Sequence, residues 1–348
     1  MRLGRSLFGV LLCVLTTAPA AGAATFQPIP TSGLGLTRTG LDAAAYGQIA
    51  ALEKTHPHAS IGDVIASANR SVRPLGSPAA LRAVQGVQGG FRWNAGDDAV
   101  GYWYPQGITG SADAVPGGIV DGHRELLVSW YAKNGKGVRI SFVNADKLAT
   151  AKYRHVLLVG RGMKPIQSHA GGIAWYGNYL YVAETHVGLR VFDLRHILKA
   201  SVERYAYVLP QAGTFRSTNA GLVFSFVSVD RSAPSLLTGE YRKGAAGGRL
   251  VRWPLGGDGL VVPRGASGAW SSPVSNVQGG LWLNGKLFTS SSNGSSPGTL
   301  LSGAPGATAT ARPWSVGAED LSYAPTSGRI YSLTEVPKAR TVFAVSGS

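Results

Sequence analysis

Residues 169–194, HAGGIAWYGNYLYVAETHVGLRVFDL, read as three short strands separated by two turns. Gly172 to Tyr176 is rich in β-formers, and Gly177-Asn178 closes it with a turn dipeptide. Tyr179 to Ala183 alternates Leu180 and Val182 with Tyr179, Tyr181 and Ala183, and Gly188 to Leu194 supplies the third run. Strands this short, joined this tightly, form an antiparallel meander. A meander of that size buries too little to stand alone, so it needs partners elsewhere in the chain.

The partners are further copies. NVQGGLWLNGKLFTSSSNGSSPGTLLSG (276–303) repeats the order of strand, Asn-Gly turn, strand, Gly-containing turn, strand. AEDLSYAPTSGRIYSLTEVPKARTVFAV (318–345) does so again, with Ser327-Gly328 as its turn. The stretch 220–255 has a longer first strand, and 105–147 carries a long insertion between its first two. Further β-like runs, such as Tyr153 to Val159 and Val202 to Leu209, add a fourth strand to a unit. The first-strand markers Ile108, Ile173, Phe226, Leu281 and Leu321 are spaced by 65, 53, 55 and 40 residues, and the strand order survives in all five units.

Sheets of four antiparallel strands following one another in sequence predict an all-β protein, a five-bladed β-propeller over 87–348. The last unit lacks a fourth strand, and VQGGFRWN (87–94) is an orphan strand ahead of the first unit. Its pairing with 340–345 would close the ring and remove the free sheet edges. A β-sandwich is the competing architecture, but a Greek key does not need this recurrence of phase. The run NYLYVAETHVGLRVFDL resembles the blades of LVIVD-type propellers, and the chain from 87 to 345 is similar to secreted β-propeller proteins of actinomycetes. That resemblance implies a fold and no catalytic residue, because propellers serve as binding platforms, lactonases, lyases and glycosidases alike.

Composition sets the remaining bounds. Of 348 residues, 44% are apolar and 15% charged, with 48 Gly, which excludes disorder and suits a turn-rich β protein. Arg2 and Arg5, the apolar Leu7 to Leu15 and Ala21-Gly22-Ala23 have the pattern of a signal peptide over 1–23. The expected mature chain is exported to the extracellular space and starts near Ala24. Cys13, the only cysteine, is lost with that segment, which excludes disulfides, cysteine-ligated metal and a cysteine nucleophile. Residues 24–86 do not join the repeat and read as a helical extension and linker, with helices over 42–55 and 60–70, the second opening on Ser60 and Asp63 at capping-box spacing. Packing against the propeller is the expected role of this extension, with a lid or partner-binding arm as the alternative.

Function in such a fold is expected where loops converge on the central channel. Aligning first strands brings Gln106, Gly171, Gly279 and Glu319 together, with His169, Gln278 and Asp320 beside them. Stepping four residues along the second strands reaches Trp130, Glu184, Glu240, Ser291 and Thr334, next to Glu335, and His186 follows Glu184 by two. The candidate ligand-binding set is therefore Gln106, Trp130, His169, Glu184, His186, Glu240, Gln278 and Glu319. Glu184, Glu240, His169 and Asp320 are the candidates for acid–base work, against the plainer reading of Glu184 and Glu240 as rim carboxylates paired with Arg. No metal site and no cofactor is expected, with calcium the one ion that Glu184, Glu240, Asp320 and Asn276 could take if they converge. Nucleophile elbow, phosphate loop and dinucleotide fingerprint are all missing from the sequence.

The formal charge of +15, or +13 without Arg2 and Arg5, attracts anions. Arg139, Lys152, Arg154, Arg242, Lys243 and Arg252 form local concentrations. An extracellular polyanion or polysaccharide is the expected partner in preference to nucleic acid, no segment is long enough to span a membrane, and a monomer is the expected state. Two functional readings remain open: a binding module for an anionic or carbohydrate ligand at one mouth, or a lactonase- or glycosidase-type enzyme using mouth carboxylates, with or without calcium.

Overall fold

The computed structural model describes residues 24–347, so the expected signal peptide and Cys13 lie outside the described residues. The described chain is all-β. Residues 24–86 contain β1 (Gln27–Pro28), β2 (Leu36–Gly40), α1 (Ala43–Glu53), β3 (His58–Ala59), α2 (Ile61–Ala66), β4 (Arg70–Ser71) and β5 (Arg73–Pro74). Asp42 caps α1 by accepting from the Ala45 amide, and Ser60 and Asp63 complete a reciprocal capping box on α2. The first helix lies within the expected 42–55, whereas α2 stops at Ala66, short of 70, and Arg70 enters β4. The strands are new: four of the five are two residues long and carry no periodicity to read.

Next come β6 (Val87–Arg92) and α3 (Ala95–Ala99), then five antiparallel groups. Group one is β7 (Trp103–Gly110), β8 (Glu125–Ala132), β9 (Val138–Asn144) and β10 (Lys152–Val159), with α4 (Ser111–Ala114) inside its long insertion. Group two is β11 (Ile173–Tyr176), β12 (Tyr179–Glu184), β13 (Gly188–Asp193) and β15 (Tyr205–Ser217), the last preceded by β14 (Ile197–Val202), with which it forms a hairpin. Group three is β16 (Phe226–Asp230), β17 (Ser235–Gly239), β18 (Arg249–Pro254) and β19 (Gly268–Ser271). Group four is β20 (Val277–Leu283), β21 (Lys286–Asn293), β22 (Ser296–Gly303) and β23 (Thr310–Val316). Group five is β24 (Ala318–Ala324), β25 (Arg329–Thr334) and β26 (Thr341–Ser346), completed by β6.

The β6–β26 pairing runs antiparallel from Thr341 opposite Arg92 to Val345 opposite Val87. Groups one and two merge into one larger sheet through a parallel pairing of β10 with β15. The first strands pack in a closed cycle: β7 against β11, β11 against β16, β16 against β20, β20 against β24, and β24 back against β7. All five marker residues, Ile108, Ile173, Phe226, Leu281 and Leu321, are buried in these strands. The apolar cores lie between neighbouring groups, as where Trp93 meets Trp130 and Tyr153 edge-on, with centroids 4.8 and 5.0 Å away.

The N-terminal segment runs round the outside of all five groups. Ala24 and Phe26 accept hydrogen bonds from Ala309 and Gly306 of group four. Then β1 pairs with β19, β2 with β15, β3 with β14, β4 with β10 and β5 with β6. Leu81 and Val84 finally pack with Leu281, Leu300 and Trp314, back at group four. This belt makes a complete circuit before the first group begins. Among the described residues no helix is long and apolar enough to cross a membrane.

Candidate functional site

Around the central axis the first strands approach to within backbone contact of one another. A Cβ on Gly172 would sit 2.5 Å from the Phe226 Cα, and one on Gly279 would sit 2.5 Å from the Asp320 Cα. The recurring glycines let neighbouring first strands approach this closely, since no side chain stands between them. Asp320 is wholly buried there, its Oδ2 accepting from the Ile108 and Ile173 amides at 3.1 and 3.3 Å, so one side chain ties groups one, two and five. Burial pushes its carboxyl well above the usual range. It is a strut between strands and not a group presented to a ligand.

One end of the axis is covered. The insertion of group one places α4 against β7, β11 and β24. Asp113 on this helix accepts from Thr109 Oγ1 at 3.0 Å and from Ser322 Oγ at 2.7 Å.

At the other end, where first strands begin, polar side chains from several groups meet. His169 Nε2 donates to Gln106 Oε1 at 2.7 Å, and Gln106 Nε2 donates to Glu335 Oε2 at 2.9 Å. Gln278 Nε2 donates to Glu319 Oε1 at 3.2 Å. The His169 ring stacks on Tyr131 with centroids 4.4 Å apart, and the Lys133 ammonium lies 3.8 Å from the Tyr104 ring centroid. Gln106 and Glu319 are each 1% exposed and form the floor, while His169, Gln278 and Glu335 reach solvent at the rim.

The floor controls the charge. Burial, then the neighbouring Glu335 and Asp320 carboxylates, hold Glu319 well above the usual carboxylate range. Burial also raises Glu335, opposed by its bond from Gln106 and by Lys133 and Arg340. Desolvation and the Lys133 charge keep His169 below its ordinary value. The mouth thus holds two carboxyl groups biased toward the neutral acid, two amides, a neutral imidazole and tyrosine rings. Such a set exchanges hydrogen bonds in both directions.

Other candidates lie elsewhere. Trp130, expected at the mouth, is completely buried between groups one and five, its Nε1 donating to Ser141 Oγ at 2.8 Å. Strand alternation explains the correction: Trp130 points into the interface and Tyr131, its neighbour, reaches the mouth. Glu184 is paired with Arg190. Glu240 accepts from Arg249 Nε at 2.9 Å and Nη2 at 2.6 Å, and from the Val223 and Arg249 amides. Both acids belong to second-to-third strand corners and are committed to Arg, as the plainer reading has it. His186 is exposed in the turn between β12 and β13.

Asn276 accepts from the Gly244 amide at 2.9 Å, and among the described residues no three His, Asp or Glu side chains gather as a metal ion would require. The expected basic band is also interrupted. Arg139 is bound to Asp97 at 2.9 Å and Arg252 to Asp230 at 2.8 Å, both largely buried.

On the opposite side, at the C-terminal ends of β7 and β24, Glu125 lines a cavity of about 520 Å³ together with Ser111, Asp146, Ser322 and Tyr331. Glu125 is 2% exposed, and neither carboxyl oxygen has a hydrogen-bond partner among the described residues. Burial, reinforced by Asp121 and Asp146, pushes its carboxyl up to about 9. The native state therefore keeps a proton that the unfolded chain releases in the ordinary Glu range, and stability falls as pH rises from that range to about 9. Glu125→Gln is expected to stabilise the protein by up to about 3 kcal/mol at pH 7. It should also flatten the loss on the alkaline side, as read by urea unfolding between pH 5 and pH 9.

Neither a protein-family model nor a curated protein matches the chain, so the LVIVD-type resemblance rests on the residues of the 172–194 unit. Solved structures similar to it include a hydrazine synthase of Kuenenia stuttgartiensis, 9% identical with a TM-score of 0.31, covering 71% of this chain and 88% of that one. A chain of a mitotic checkpoint complex is 10% identical with a TM-score of 0.33, covering 65% and 74%. Neither likeness bears on function.

Proposed function

We propose that the five groups are the blades of a five-bladed β-propeller closed by β6 and β26, and that the protein is an exported module binding a neutral carbohydrate at the open mouth. The observation that carries the ligand is the hydrogen-bonded arc His169–Gln106–Glu335, with Gln278–Glu319 beside it. Amides and carboxyl groups biased toward the acid form offer donor and acceptor together, the pairing that vicinal hydroxyls need, and Tyr131, stacked on His169, holds that arc in place. Export is supported by the basic, apolar and small-residue pattern of 1–23.

Glycan-array screening followed by calorimetry tests this reading. A neutral oligosaccharide should bind, and affinity should fall as pH rises through the raised titration of Glu319 and Glu335, when the carboxyl donors are lost. Glu335→Gln should bind with less pH dependence, and Tyr131→Ala should bind at least about tenfold more weakly. Absence of binding to any neutral glycan would overturn it.

The raised Glu319 and Glu335 carboxyls favour one second reading, a hydrolase using one as general acid. Turnover of a bound glycan, abolished in Glu335→Gln while binding persists, would select it.

A further inference from the structure

A second cleft, of about 460 Å³, opens beside the first group and is lined by Arg70, Lys136, Arg139, Arg154, Arg204 and Tyr102. Glu203 is the one acidic side chain among the described residues lining it. Beneath lies Asp97, shared by Arg70 at 3.1 Å and Arg139 at 2.9 Å, so a single carboxylate serves two guanidinium groups. Five cations thus face two anions. His155 lines the base as well, and burial and the Arg139 charge push it down to about 3, so it is neutral across the physiological range.

Arg139 has 5% side-chain exposure, with its guanidinium carbon 4.4 Å from the Trp103 ring centroid and 4.8 Å from that of Trp130. Its Nε has no hydrogen-bond partner among the described residues. A buried guanidinium with a spare donor is costly unless something accepts from it.

The turn at the cleft adds an independent sign. Val202 pairs with Tyr205, leaving Glu203 and Arg204 as a two-residue loop with φ of 47° and 68°. Asn-Gly is the usual occupant of such a turn, and two larger residues hold it under strain. The strained pair places Arg204 on the cleft wall. Tyr102, 37% exposed, stands on the same wall with Lys136 Nζ 5.3 Å from its ring centroid.

We propose that this cleft is a binding site for a phosphate- or sulfate-bearing ligand, held by Arg204, Lys136 and Arg154 above the Arg70–Asp97–Arg139 base. Guanidinium forks suit tetrahedral oxyanions, and the uncompensated charge draws them in. The site is separate from the mouth and does not rest on the carbohydrate reading.

Calorimetric titration of the full chain with sodium pyrophosphate, inorganic phosphate and sodium sulfate, at about 50 and about 200 mM salt, tests it. Saturable pyrophosphate binding that weakens at the higher salt is expected, and the phosphate and sulfate arms separate the two oxyanions. The double variant Lys136→Gln, Arg204→Asn should raise the Kd about tenfold or more. Because Asn suits the left-handed turn, its melting temperature should hold or rise. Glu335→Gln, at the mouth, should leave pyrophosphate binding unchanged. No saturable binding at the lower salt, an unchanged Kd in the folded double variant, or loss of binding in Glu335→Gln would each overturn the site.

Discussion

Asp97→Ala is expected to destabilise the protein by about 3–5 kcal/mol, the cost of leaving the buried Arg139 without its counter-charge. Asp97 accepts from Tyr153 at 2.6 Å and contacts Arg70, Arg139 and His155 within 3.2 Å. Burial alone would raise its carboxyl, but bonds from His155 and Tyr153 and the Arg139 charge hold it well below the usual range. Its folded value is depressed, so its contribution is present above the unfolded Asp range and is lost as pH falls toward the folded value. Asp98 continues the clamp, paired with Arg73 and accepting from the Arg340 amide at 2.9 Å. Arg340 is itself fully buried and donates to the Asp97 carbonyl at 2.7 Å. The two acids of α3 therefore fasten the belt, group one and group five at one seam. Chemical denaturation of Asp97→Ala and Asp97→Asn measures the effect, with the Asn variant the milder because it still accepts a hydrogen bond.

Gly90→Ala should be as damaging, by about 3 kcal/mol or more, since strain and overpacking add. Gly90 has φ of 143°, and a Cβ there would lie 2.1 Å from the Val342 carbonyl oxygen and 2.7 Å from the Phe343 Cα. Those atoms are backbone of β26, so no side-chain rotation relieves the clash and β6 must detach. Gly89 supplies the control. Its φ of 147° is similar, but a Cβ on it meets nothing within 4 Å. Gly89→Ala should carry the conformational cost alone, and the difference in melting temperature between the two variants isolates the closure of group five.

The repeat was legible because it is written in buried positions. Leu126, Leu180, Leu236, Leu287 and Ile330 all occupy second strands and are all buried, as the first-strand markers are. Turn dipeptides set their phase, and the orphan VQGGFR stood out by its place ahead of the first unit and pairs with β26. The mouth was partly legible. Strand starts aligned Gln106, His169, Gln278 and Glu319, but stepping along second strands mixed Glu335 with Trp130, which alternation sends to the core. Side chains held by long-range ion pairs left no local trace. Nothing near Asp97 in sequence announces Arg139 or His155, and nothing near Glu125 announces that it is buried. The turn at Glu203-Arg204 was invisible because its residues are not those the conformation prefers.

The belt acts on the five groups as a hoop acts on the staves of a cask. No stave can tilt outward without sliding along the hoop, so a loosening at one seam is resisted at seams far away. Local breathing is thereby tied to global unfolding, and amides of the outer strands should exchange with solvent more slowly than their position suggests. The same hoop sets an order of assembly. Its first residues rest on strands formed some of the last in the chain, around Trp270 and Thr308, so a newly made N-terminus has nothing to grip until those strands exist. Such distant closures make folding slow, and the girdle is the last piece to tighten.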